Sequence, residues 1–180
     1  MSNIHIDAIM DPGEIPSHLQ ANSKFQIRIR STPEMVIDIQ LPSGTLTFLF
    51  SDIEGSIKLA QQYPDEMPGL LARHRQILQE AMERNHGVVF QGTADSFSVA
   101  FHSAHDALSA AVEAQRALYN EPWSPAPIRV RMGIHTGTVR QQTGSKMVER
   151  SNYTALAATQ RIMDAGHGGQ ILLSSATREL

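Results

Sequence analysis

From Thr45 onward short apolar runs alternate with amphipathic stripes, and this order limits the fold more than any other feature of the chain. TLTFLF, rich in β-branched and aromatic residues, reads as a strand. Between Pro64 and Asn85, Met67, Leu70, Leu71, Ile77, Leu78, Ala81 and Met82 recur at the spacing of one helix face. His86 and Gly87 stop that helix, glycine being common just past a helix C-terminus. GVVFQG and SFSVAF are two short strands joined by the tight segment Thr93, Ala94 and Asp95. A second helix starts from Ser103 as N-cap and runs to about Tyr119, with Ala107, Leu108, Ala111, Val112 and Leu118 on one side. Pro122 to Pro127 is a rigid loop, IRVRMGIHTG a further strand, Tyr153 to Ala165 a third helix stopped by Gly166 to Gly169, and QILLS a last strand. Strand, helix, hairpin, helix, strand is the split βαββαβ of ferredoxin-like folds, an α+β architecture.

The 180 residues suffice for one compact domain with appendages. Residues 1–41 read as an N-terminal extension: a polar leader, then a hairpin of FQIRIR and MVIDIQ split by Ser31, Thr32 and Pro33. LPSG marks the boundary with a second unit over 42–180. A net charge of −3 gives no basic surplus for nucleic acid or anionic lipid, so any phosphate binding is local. Without cysteine there is no disulfide, no thiolate nucleophile and no Cys-ligated zinc. No apolar run is long enough to span a bilayer, and the first residues lack the pattern of a signal peptide; a soluble, cytoplasmic protein is expected.

In FLFSDIEGS, at Phe48 to Ser56, an apolar strand stops at an aspartate. The first strand of a βαββαβ core pairs antiparallel with the third, so Asp52 and Asp95 are expected to meet at one edge of the sheet. Two such carboxylates suit a hard divalent cation completed by phosphate oxygens, and a paired-metal site would serve phosphoryl transfer. The Glu54, Gly55 and Ser56 amides open a helix where a phosphate could approach closely, which suggests a nucleoside triphosphate. The same aspartates also suit a helix cap and a turn, and spacing leaves that alternative open. His74, His105, His135 and His167 lack metal-ligand spacing and read as packing or surface residues, His135 as core. Ser56 and Ser96 have no evident histidine and acid partner, which argues against a nucleophilic hydrolase. Arg28, Arg30, Arg129 and Arg131 are expected on solvent faces of strands, and Glu54 as a charge at a helix start.

GTLTFLFSDIEGS, HGVVFQGTADSFSVAF, IRVRMGIHTG and AGHGGQILLSSATREL, in this order, resemble the class III nucleotidyl cyclases, the adenylyl and guanylyl cyclase catalytic domain in its bacterial form. The resemblance covers most of 42–180, and it implies conversion of a nucleoside triphosphate, with ATP the first expectation, to a 3′,5′-cyclic nucleotide and pyrophosphate. It implies two Mg²⁺ or Mn²⁺ ions on Asp52, Asp95 and the Ile53 carbonyl, and a homodimer with composite sites, metals on one protomer and base-reading residues on the other. Gln91 stands where adenylyl cyclases of this type carry a base-reading lysine, and Asn152 near the position of the base-reading aspartate. The family's transition-state arginine matches Arg161, whereas its transition-state asparagine falls on Ala157. The family domain usually continues past the point matching Leu180, so a shortened version is expected. The competing reading is a degenerate cyclase homology domain that binds nucleotide or dimerises to regulate a partner.

Overall fold

The computed structural model describes residues 26–30, 36–40, 44–139 and 146–180, with side chains over 44–139 and 154–180. The polar leader lies outside the described residues. Strands β1 (Gln26–Arg30) and β2 (Val36–Gln40) pair antiparallel, Gln26 opposite Gln40 and Arg30 opposite Val36, as the hairpin reading expected.

The remaining elements follow the βαββαβ order. They are β3 (Gly44–Ile53), α1 (Ser56–Gln62), α2 (Met67–Arg84), β4 (Val88–Gly92), β5 (Ser96–Phe101), α3 (Ala104–Asn120), β6 (Val130–Val139), α4 (Lys146–Asp164), β7 (Ile171–Leu173) and α5 (Ser175–Arg178). Their sheet runs β4-β5-β3-β6-β7. β3 lies antiparallel to both β5 and β6, while β7 joins β6 in parallel.

Side-chain alternation along β3 splits the core between two faces. Leu49 and Ile53 pack with Val99, Met132 and Ile134 against Ile77 and Leu78 of α2 and Ala107, Ala111 and Ala114 of α3. Leu46, Phe48 and Phe50 point the other way, to Phe90, Ala100 and the Ala155 and Met163 side chains of α4. Covered on both faces, β3 is buried almost without a break from Leu46 to Ile53 rather than at alternate residues. Ser103 caps α3 as expected, its hydroxyl accepting from the Asp106 amide at 3.4 Å.

Several elements differ from the sequence expectation, the helices most. α2 starts at Met67, not Pro64, and α1 forms a separate helix before it. No residue of α1 is fully buried; Leu59 and Ala60 rest partly covered against the core, too short a stripe for periodicity to detect. α4 starts at Lys146 rather than Tyr153, through a stretch with few apolar residues. Among the described residues no helix is long and apolar enough to cross a membrane.

Candidate functional site

At its C-terminal end β3 presents Asp52 opposite Ser96 of β5 and Arg131 of β6. The chain before β5 folds back so that the Asp95 carbonyl accepts from the Ile53 amide at 3.1 Å, while the Thr93 amide donates to the Ser96 carbonyl at 3.1 Å. Asp52 and Asp95 therefore line one cleft of about 360 Å³, together with Ser51, Thr93, Ser96, Ser98, Arg131 and Gln160. Its apolar lining comes from Phe50, Phe97 and Met163.

The position of Asp95 is set by several contacts. Thr93 Oγ1 donates to Asp95 Oδ1 at 2.8 Å and shares a 2.7 Å bond with the Ser96 hydroxyl. Arg75 of α2 donates from Nη2 to the Thr93 carbonyl at 3.0 Å, and its guanidinium stacks 5.5 Å from the Phe97 ring centroid. Burial disfavours the Asp95 carboxylate, yet hydrogen bonds from Thr93 and Ser56, the local backbone and the nearby His74 together hold its carboxyl below the usual range. Asp95 is thus ionised at neutral pH.

His74 lies behind this turn, fully buried, edge-on to Phe97 at 6.0 Å between ring centroids. Neither ring nitrogen has a hydrogen-bond partner. Burial pushes its pKa down to about 4, against the attraction of Asp95 and with the repulsion of Arg75. It is a packing histidine, as the spacing suggested. His135 is half-buried and bonded through Nδ1 to the Ser174 hydroxyl at 2.9 Å.

The expectation that Arg131 faces solvent is corrected. Its Nε and Nη2 both donate to Asp52 Oδ2, at 3.1 and 2.7 Å, and Nη2 also lies 3.6 Å from Oδ1 of Asp164. Alternation along β6 puts Arg131 on the same face as Gly133, the face that α4 covers only in part. Gly133 permits that covering: a Cβ there would stand 2.4 Å from the Met163 backbone nitrogen, so only glycine lets the end of α4 lie on β6. This contact brings Gln160 and Met163 to the cleft wall and Asp164 to within 3.6 Å of Arg131. The signal available in the sequence was the register itself, since Arg131 falls opposite Asp52 once β3 and β6 are paired.

The other expected residues with described side chains are not among those that line the cleft. Gly55 is the left-handed N-cap of α1, at φ 70°. The Glu54 amide donates to the Arg129 carbonyl at 2.9 Å and is therefore engaged, and the Glu54 side chain packs over Gly168. Gln91 is exposed on β4. Ala157 is half-buried in α4 and presents no polar side-chain atom; Arg161, one turn further, is exposed. Asn152 belongs to α4, but its side chain lies outside the described residues.

Among the described residues no group of three or more His, Asp or Glu side chains gathers for a metal ion. The cleft does fit a cation that draws its remaining ligands from a substrate. It offers two carboxylates, one held ionised, and hydroxyl oxygens from Thr93, Ser96 and Ser98, all hard donors.

Residues 40–180 match the family described as the adenylate and guanylate cyclase catalytic domain. The chain belongs to this cyclase family. An uncharacterized protein of Mycobacterium tuberculosis is 38% identical over 141 residues, covering 77% of this chain and 46% of its own length, so the chain spans about half of that relative. The crystal structure of the guanylyl cyclase Cya2 superposes with a TM-score of 0.65 at 25% identity, over 76% of this chain and 79% of that one. An adenylate cyclase of Trypanosoma brucei, described in its monomeric state, shares the fold with a TM-score of 0.64 at 24% identity, over 78% of this chain and 77% of that one.

Proposed function

We propose that the chain is a class III nucleotidyl cyclase that converts a nucleoside triphosphate to its 3′,5′-cyclic monophosphate and pyrophosphate, acting in the cytoplasm for intracellular signalling. The observation that carries this reading is the convergence of Asp52 and Asp95 on one cleft beside Arg131. Asp52, Asp95 and the Ile53 carbonyl would hold two Mg²⁺ or Mn²⁺ ions, which supply Lewis acidity at the ribose 3′-hydroxyl and neutralise triphosphate charge. The protein's own part is chiefly positioning and electrostatics. Arg75, Thr93 and Ser56 fix the Asp95 carboxylate. Arg131 supplies a permanent positive charge where triphosphate oxygens would enter, and its planar fork suits them. Gly55 and Ser56 leave room for the phosphates at the rim.

Arg161 is exposed on α4 and does not line the cleft of its own protomer. A homodimer resolves this: each cleft is completed by Arg161 of the partner subunit, with Gln91 and Asn152 reading the base. Both are amides that present a donor or an acceptor, so adenine and guanine are each accessible, with ATP the starting candidate. Ala157 cannot hydrogen-bond the ribose, and a missing transition-state contact costs ~10²-fold or more in rate. The enzyme is therefore slow.

Ala157 and Gln91 also favour a second reading, a non-catalytic domain that binds nucleotide or dimerises to regulate a partner. Incubation with ATP, GTP, CTP and UTP in Mg²⁺ or Mn²⁺ separates the two. Cyclic product from one triphosphate, lost in Asp95→Ala, supports the cyclase and names its base. No product from any triphosphate with folded dimer overturns it in favour of the regulatory domain.

A further inference from the structure

Arg131 stands between two carboxylates. Its Nε and Nη2 converge on one oxygen of Asp52, and the same Nη2 lies 3.6 Å from Asp164. The two acids differ in surroundings. Asp52 is about one-quarter exposed and comes from the central strand, whereas Asp164 is about half exposed at the end of α4, where the Gln160 side-chain amide also bonds it at 3.2 Å. A divalent cation on Asp52 and a guanidinium on its Oδ2 compete, because two positive charges on one carboxylate repel and each weakens the other's hold on it. An arginine with a second acid within reach can yield without becoming an unpaired, half-buried charge.

We propose that Arg131 is an exchangeable counter-ion of Asp52, displaced toward Asp164 when a divalent cation binds, so that Asp164 sets how readily the cleft takes metal. Asp164 touches neither cation nor nucleotide and is a positioning residue that acts through Arg131. The inference rests on the metal-site reading above. Its structural basis is the close approach at Gly133, which holds the end of α4, and with it Asp164, over β6.

The test is Mn²⁺ binding to the full chain without nucleotide, read by electron paramagnetic resonance, for wild type, Arg131→Gln, Asp164→Asn and the double variant, with Asp52→Asn as control. Half-exposed ion pairs set the scale. Arg131→Gln should bind Mn²⁺ about fivefold more tightly. Asp164→Asn should bind about two- to threefold more weakly, and this weakening should vanish when Arg131 is already Gln. An equal effect of Asp164→Asn in both backgrounds would show a simple field effect and overturn the exchange, as would unchanged affinity in Arg131→Gln. A second readout needs no variant: the Arg131 Nε–H resonance should move as Mg²⁺ saturates the wild type, and a resonance that stays fixed overturns the proposal. Mn²⁺ binding indifferent to Asp52→Asn would instead sink the metal-site reading itself.

Discussion

Replacing His74 by leucine should remove most of one proton's worth of acid sensitivity from the fold. His74 is fully buried with both nitrogens unpaired, and burial lowers its pKa from 6.5 to about 4. The charged groups acting on it are Asp95, which favours the protonated ring, and Arg75, which opposes it. Because the folded pKa lies below the unfolded one, the neutral ring is the folded form. Its contribution is complete above the unfolded value of 6.5 and declines as pH falls toward about 4, where the folded protein also takes up the proton. Between about pH 7.5 and about pH 5 the loss is about 2 kcal/mol, and about 3 kcal/mol at the acid limit. Leucine fills a similar volume with no polar atom to leave unpaired, so at neutral pH the variant should be as stable as wild type to within about 1 kcal/mol. Urea unfolding at both pH values measures this directly, since groups remote from His74 cancel in the difference and Asp95, its carboxyl held below the usual range, stays ionised across the window. Wild type should lose about 2 kcal/mol more than His74→Leu on acidification. Equal losses in the two proteins would refute the assignment of a neutral, buried imidazole behind the Asp95 turn.

Three further substitutions probe the scaffold. Gly133→Ala places a Cβ 2.4 Å from backbone of Met163, which cannot rotate away, so α4 must lift at a cost of roughly 1–3 kcal/mol; an unchanged Tm would contradict the close packing of α4 on β6. Thr93→Val removes the 2.8 Å donor to Asp95, and the Asp95 carboxyl should titrate closer to the ordinary carboxylate range by carbon-13 NMR, whereas an unmoved titration would mean that Thr93 does not stabilise the anion. Thr136→Val breaks a buried chain in which the Thr136 hydroxyl bonds Thr47 at 2.9 Å and Thr177 at 3.2 Å, and should lower unfolding stability by about 1–3 kcal/mol; a neutral outcome would show the chain contributes nothing.

The strand order was readable because each strand of the core is a short apolar run between turn residues, and βαββαβ has one common pairing. That pairing alone brings the end of β3 beside the turn before β5, so the encounter of Asp52 and Asp95 needed no coordinates. Arg131 was misread because alternation reports which face a residue occupies, not what covers that face. Gln160 and Asp164 were invisible for a related reason: the place of Gln160 in the cleft wall and of Asp164 beside Arg131 depends on a helix-to-strand approach that Gly133 allows, and a glycine inside a strand announces a close neighbour without naming it. α1 escaped notice because only Leu59 and Ala60 of its seven residues rest, partly covered, on the core. The Glu54 amide read as available for phosphate, whereas pairing with the Arg129 carbonyl depends on how the chain leaves the sheet.

The proposed composite site joins the acidic cleft of one protomer to Arg161 of the partner subunit, and mixing two inactive variants tests it most directly. Asp95→Ala and Arg161→Ala, each alone, should form little or no cyclic nucleotide from the triphosphate that wild type uses. Mixed and allowed to exchange subunits, they should recover a substantial fraction of wild-type turnover, because half of the sites in each mixed dimer would carry both intact residues. No recovery in dimers shown to have exchanged would contradict the composite site, and full activity in Arg161→Ala alone would remove Arg161 from the chemistry.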